Sequence, residues 1–191
     1  HLEVGVQTLT PHVAATIGRS PDTAHTLENV RVLTQETGAT VHADLIFGLP
    51  GEDEAAFARS FNKLVTVCAP PKVQVNLLKG LPGTRFVREA QRFGLVFNPE
   101  PPYELLYSDA MDFATLARVQ RFARCWELVH NRGHFGEACR RLRMLADGDP
   151  YACYQALTDH LSAAEGKLFA IARARLAVLL DDFLSSQSHE C

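Results

Sequence analysis

The chain has 191 residues, of which 47% are hydrophobic and 21% charged, with a formal net charge of −3. That is enough chain for one good core or two small ones, and an ordinary composition for a globular protein. The mild acidity argues against non-specific nucleic-acid binding through a basic face, and no apolar run approaches the roughly 20 residues of a membrane span. His1 leads straight into a strand-like segment, with no signal-peptide pattern.

LEVGVQT at 2–8 is a short apolar strand that ends in polar residues. A short helical stretch is predicted at 11–18 and a longer one at 21–37. The longer one opens with Ser20-Pro21-Asp22, an N-cap followed by proline at the first helical position, and stops at Gly38. Ala24, Leu27, Val30 and Leu33 recur at three- to four-residue intervals, so one face is buried. HADLIFGLPG at 42–51 contains a second strand, 41–47, followed by a helix over 53–67 with Phe57, Phe61, Leu64 and Val65 inward. Pro70-Pro71 precede a third strand, 72–78, in VQVNLLKGLPGT, and a helix over 84–93 that ends at Gly94. The order β-α-β-α-β-α predicts an α/β unit over 1–94, with a parallel sheet and helices packed outside it.

Residues 95–111, rich in proline and aromatics, read as a linker with a short strand at 103–107. From Asp112, an N-cap candidate, the pattern is wholly helical, with helices at 113–131, 134–146, 150–164 and 166–186. Residues 112–191 are therefore expected to form a small all-α bundle. Two apolar stripes (Leu116, Val119, Phe122, Ala123, Trp126; Leu168, Ile171, Leu176, Leu179, Leu180, Phe183) read as its core.

Cys68, Cys125, Cys139, Cys153 and Cys191 are odd in number and lack metal-ligand spacing, which predicts reduced thiols in a cytoplasmic protein. The 14-residue interval from Cys125 to Cys139 to Cys153 reads as a coincidence of helices that each bury one small side chain. His12, His25 and His42 are scattered. His130 and His134 have i, i+4 spacing, but Asn131 and Gly133 between them predict a helix break and no metal site.

The chemistry sits at the strand ends, which offer Gln7, Thr8, Asp44, Asn76 and Lys79. Polar residues at the carboxyl edge of a parallel sheet are how α/β enzymes present a ligand site. Asp44 lies between Ala43 and Leu45, where an ionised carboxylate is costly unless it is hydrogen-bonded or faces a cavity. A carboxylate that only accepts and an amide that both donates and accepts suit vicinal hydroxyls. Arg19 could clamp a carboxylate or phosphate. The plainer alternative makes Asp44 a helix cap and Arg19 a solvated surface charge. Gly48-Leu49-Pro50-Gly51-Glu52 either brings backbone close to a ligand or turns the chain into the next helix.

E-x-G-x-Q-T, I-G-R, D-L-I-F-G-L-P-G-E and L-P-G-T, in this order, resemble the second half of a radical S-adenosylmethionine barrel. They are most similar to the branch with oxygen-independent coproporphyrinogen oxidase and the cobalamin-dependent proteins. PPYELLYSDAM and the helical tail resemble the C-terminal extension of a cobalamin-binding clade whose members are often labelled anaerobic magnesium-protoporphyrin IX monomethyl ester oxidative cyclase. The resemblance implies a partial TIM-like (β/α) barrel and a parent oxidoreductase or methyltransferase. It also implies that Gln7 and Asp44 hold the ribose hydroxyls of S-adenosylmethionine and that Arg19 holds its methionyl carboxylate. Ile46 would line the adenine face and the backbone at Leu78 would meet the adenine edge. The family's G-x-I-x-G-x-x-E pattern appears with Asp44 at its first glycine and Gly51 at its final glutamate, as in the coproporphyrinogen branch.

The C-x-x-x-C-x-x-C loop that ligates the family's [4Fe–4S] cluster has no counterpart in the sequence. With no initiator Met and a strand at its start, the chain is expected to be the C-terminal piece of a longer enzyme, inactive alone, whose preceding part carries the cluster and possibly cobalamin. A small-molecule substrate is expected for that parent, and no nucleic-acid or membrane partner. The alternatives are a non-catalytic α/β nucleotide-binding module or a protein-interaction bundle on an α/β scaffold. The strand at 2–8 presents an unprotected edge, which predicts a homodimer or a strand swap.

Overall fold

The computed structural model describes residues 1–187, so Cys191 lies outside the described residues. The chain divides into two compact units, His1–Gln120 and a second that starts at Arg121.

The first unit is built on three parallel strands in the order β1-β2-β3: β1 (Leu2–Gln7), β2 (Val41–Phe47) and β3 (Lys72–Leu77). The register sets Glu3 beside His42 and Lys72, and Gly5 beside Asp44 and Gln74. Side chains alternate across a strand, so these rows share one face. On β2 the other face is fully buried (Val41, Ala43, Leu45, Phe47), whereas His42, Asp44 and Ile46 are only half-buried. α2 (Thr23–Gln35) and α3 (Glu54–Lys63) pack against β2, and α1 (Pro11–Thr16), with Val13 and Ala14 buried, follows β1. Val30 of α2 and Phe57 and Phe61 of α3 are buried, and Phe57 meets Phe47 edge-on at 5.9 Å. The expected α/β architecture with a parallel sheet is present as this open three-stranded layer.

Local chemistry sets the helix starts. Asp53 accepts from the Ala56 amide at 2.7 Å and caps α3. Asp53→Ala should lower stability by about 1 kcal/mol, read as a shift of the urea midpoint. Asp22 caps α2 by accepting from the His25 amide at 3.0 Å, so the cap lies two residues beyond the expected Ser20. Ser20 instead accepts from the Asp22 amide at 3.2 Å and shapes the approach to the helix.

Three elements depart from the sequence reading. The helix expected over 84–93 is a single turn, α4 (Arg85–Arg88), because none of its residues is buried and a short helix without a packed face is not sustained. The 95–111 stretch contains two strands, β4 (Leu95–Phe97) and β5 (Leu105–Ser108), which pair antiparallel. Leu105 donates to the Leu78 carbonyl at 3.0 Å and Gly80 to that of Tyr103 at 2.8 Å, so this hairpin is tied to the end of β3. The helix expected from 166 begins later, as described below.

α5 (Phe113–Trp126) is capped by Asp112, whose carboxylate accepts from the Thr115 amide at 2.8 Å, as expected. It ends in a π-helical turn over 127–131. The second unit continues with α6 (Gly136–Leu145), α7 (Pro150–Glu165) and α8 (Arg173–Gln187). Gly166 ends α7 at φ 68°, and Ala170 at φ 57° interrupts any helix across 167–172, which delays α8. Phe122, Trp126, Leu168, Leu176, Leu179, Leu180 and Phe183 are buried as the apolar stripes predicted. His130 stacks on Trp126 at 3.9 Å, and burial, helped by Arg143, pushes its imidazole down to about 4.

The three regularly spaced cysteines, expected as a coincidence of separate helices, are near one another. The thiols of Cys139 and Cys153 lie close enough to Cys125 to help raise its pKa, behind the dominant effect of its burial. Cys139 donates to the Val129 carbonyl at 3.4 Å, and Tyr154 donates to the Cys139 sulfur at 3.9 Å. All four described cysteines are free thiols.

Candidate functional site

The carboxyl end of β1 is locally strained. Gln7 has φ 68°, in the left-handed region that a residue with a β-carbon seldom enters. The Thr8 amide donates to the Val6 carbonyl at 2.9 Å, which closes a three-residue γ-turn around Gln7. The same irregularity shifts the β1–β2 register between Gly5 and Gln7. Backbone in such a region is held only where its surroundings over-determine it, and such positions cluster at ligand clamps.

Those surroundings are specific. Thr8 donates to Glu52 Oε1 at 2.6 Å, and the Thr10 amide donates back to the Thr8 hydroxyl at 3.0 Å. The Leu9 amide donates to the Ser60 hydroxyl at 3.1 Å. Residues 8–10 are thus pinned to the 48–52 loop and to α3. Within that loop the Glu52 amide donates to the Leu49 carbonyl at 3.0 Å, and Pro50 and Gly51 (φ 76°) take the two central positions of a tight turn. Glu52 is fully buried, and burial pushes its carboxyl up to about 7 against the Thr8 hydrogen bond, which pulls it down. The sequence reading gave Glu52 no role of its own, only a place in the 48–52 loop.

The turn at Gln7 folds its side chain back over Gly5. A β-carbon on Gly5 would lie 2.5 Å from Gln7 Nε2 and 3.5 Å from Arg19 Nη2. Arg19 donates from Nη1 to the Gly5 carbonyl at 3.0 Å. Gly5 neighbours Asp44 across the sheet, so Gln7, Arg19 and Asp44 are gathered around one glycine. Gly5→Ala should therefore displace the Gln7 amide with little change in thermal midpoint, because the clashing atom ends a flexible side chain. Titration of the variant with the ligand proposed below should show about 10-fold weaker binding.

Asp44 is no helix cap, which sets aside that part of the plainer alternative, whereas Arg19 is exposed, as the other part held. Its Oδ1 is buried with no hydrogen-bond partner, and so is Gln7 Oε1. Burial, and after it the Glu3 carboxylate, push the Asp44 carboxyl up, while His42 and Lys72 on the same face draw it down. Two unpartnered acceptors on one sheet face, beside a guanidinium, require donors from a bound molecule or solvent.

The remaining sequence-derived candidates divide. Ile46 is half-buried on the Asp44 face of β2, as an apolar wall requires. Leu78 has its side chain buried and its amide donated to the Phe47 carbonyl at 3.0 Å. Its carbonyl already accepts from Leu105, which leaves one lone pair for a ligand. Thr8 is buried and engaged with Glu52, so it supports the site from behind. Asn76 is exposed at the edge of β3, and the backbone of Lys79 forms an isolated antiparallel β-bridge with that of Glu104. Among the described residues no group of three His, Cys, Asp or Glu could hold a metal ion, and no helix is long and apolar enough to cross a membrane.

Comparison with known proteins gives a match to a family model described as a protein of unknown function, DUF4080, over residues 91–190, more than half of the chain. No curated protein matches the chain.

Proposed function

The chain belongs to the DUF4080 family, and we propose that its α/β unit is the nucleoside-binding portion of a radical S-adenosylmethionine enzyme. In this reading the open three-stranded sheet is part of a (β/α) barrel, and the cluster ligands and any cobalamin belong to a preceding segment of the enzyme. The carrying observation is the pair of buried acceptors without partners, Gln7 Oε1 and Asp44 Oδ1, gathered with Arg19 around Gly5.

The residues fit the group. S-adenosylmethionine, when bound, supplies a sulfonium whose carbon–sulfur bond is open to reductive cleavage. Asp44 and Gln7 accept from the two ribose hydroxyls and so satisfy atoms that are otherwise orphaned. Arg19 keeps donors beyond the one given to Gly5, enough to bind a carboxylate. Ile46 offers an apolar face to a flat ring, and the free lone pair of the Leu78 carbonyl accepts from an exocyclic amine. The strained turn at Gln7 spends folding energy to hold the amide where the ribose needs it.

The test titrates isotope-labelled chain with adenosine and with 2′,3′-dideoxyadenosine. Adenosine should bind weakly, as a half-site does, and shift the signals of Gln7, Asp44 and Ile46. The dideoxy compound lacks both hydroxyls and should leave Gln7 and Asp44 unmoved. Equal shifts from both compounds, or none from either, would overturn the assignment.

A further inference from the structure

The second unit contains a cleft of about 370 Å³, within the usual range for small-molecule sites. One wall comes from the end of α5 and the turn after it (Leu128, Arg132, His134, Phe135), the other from the start of α8 (Ile171, Arg173, Leu176). Leu128 and Leu176 are buried and Phe135 and Ile171 half-buried, so the floor is apolar. The polar lining consists of two guanidinium groups and an imidazole, with no carboxylate among the lining residues.

The two guanidinium groups are only loosely neutralised. Arg132 Nε lies 3.9 Å from Glu127 Oε1, beyond hydrogen-bond distance, and Asn131 occupies Glu127 Oε2 at 2.8 Å. Arg173 makes no hydrogen bond or ion pair among the described residues, and Glu165, at the end of α7, is bound to Arg175 at 2.8 Å. Gly133 at φ 67° turns the chain between Arg132 and His134 at the cleft, a bend that only a glycine makes without strain. An apolar floor beside one loosely paired guanidinium, Arg132, and one without a partner among the described residues, Arg173, is complementary to a molecule with an apolar body and one anionic head.

We infer that this cleft, lined by Arg132, His134, Arg173 and the Leu128–Ile171–Leu176 floor, binds a small anionic amphiphile through a carboxylate or phosphate head. The site is independent of the nucleoside reading and stands or falls separately from it. The test is titration of the isotope-labelled full chain with octanoate, phenyl phosphate and the uncharged octan-1-ol. An anion should shift the signals of Arg132, His134, Ile171 and Arg173, with octan-1-ol at least about 10-fold weaker. The tighter of the two anions identifies the head as carboxylate or phosphate. Arg173→Gln should weaken anion binding by about 10-fold while the thermal midpoint stays put, because Arg173 is exposed and has no partner among the described residues. Ile171→Phe, which fills the cleft from its floor, should abolish binding of both anions and serves if the arginine variant does not fold. Equal binding of octanoate and octan-1-ol, shifts confined to other residues, no response to any probe, or unchanged affinity in both variants would overturn the proposal.

Discussion

Asp44→Ala is expected to weaken S-adenosylmethionine binding to the complete, cluster-loaded protein by about 100-fold. The estimate follows from losing a charge-assisted hydrogen bond, worth about 1.5–3 kcal/mol, together with the alignment of the second ribose hydroxyl toward Gln7. The same change should leave the ligand-free chain as stable as before or slightly more so. Its Oδ1 is buried without a partner, so the truncation removes an unsatisfied group rather than a bond. That opposition separates a ligand-binding carboxylate from a structural one, whose loss would lower stability and affinity together. Calorimetric titration beside a thermal melt reads both quantities. A variant with undiminished affinity would remove Asp44 from the site.

The second large effect is a loss of stability as pH rises, centred on Glu52. Its carboxyl titrates at about 7 in the folded chain, against an ordinary value of 4.5. Below about 4.5 the group is protonated in both states and carries no penalty. Between these values the folded state holds a proton that the unfolded state has released, so unfolding free energy falls with rising pH. Above about 7 the penalty is complete, roughly 3 kcal/mol. Glu52→Gln keeps an acceptor for the Thr8 hydroxyl and removes the titration, so it should flatten this part of the profile and stabilise the chain above pH 7. Urea unfolding of both proteins from pH 5 to pH 8 measures the difference, and parallel profiles would show that Glu52 does not titrate inside the fold. Thr8 follows directly on Gln7, so ionisation of Glu52 should also loosen the turn that sets the amide.

The three parallel strands could be read from the sequence because each carries a short apolar run that stops at polar residues or glycine; the alternating burial along β2 emerges only in the structure. The helical stripes were equally plain, since Phe122, Trp126, Leu176 and Phe183 recur at helical intervals and all are buried. β4 was not legible: three residues, Leu95–Phe97, are strand only because β5 pairs with them, and no local pattern records that partner. The delayed start of α8 rests on a positive φ at Ala170, a residue that ordinarily favours helix. At the candidate site, residue types suggested Asp44, Arg19 and Gln7, but not the turn that gathers them. Nothing in Val-Gln-Thr announces a left-handed glutamine, and nothing in Pro-Gly-Glu announces a buried acid, because both depend on the meeting of residues 8–10 with the 48–52 loop and Ser60. Proximity of Cys125, Cys139 and Cys153 was hidden in the same way, since equal spacing along a chain does not say which helix faces will meet.

The most direct test of the nucleoside reading is an anaerobic assay of the complete gene product, reconstituted with iron and sulfide and reduced, beside its Asp44→Ala and Arg19→Ala variants. The predicted result is 5′-deoxyadenosine or S-adenosylhomocysteine above a no-enzyme control, with both variants reduced to the control level. Absence of either product from a cluster-loaded protein, or full activity in both variants, would contradict the account and leave the strand-edge site as a binding module without radical chemistry.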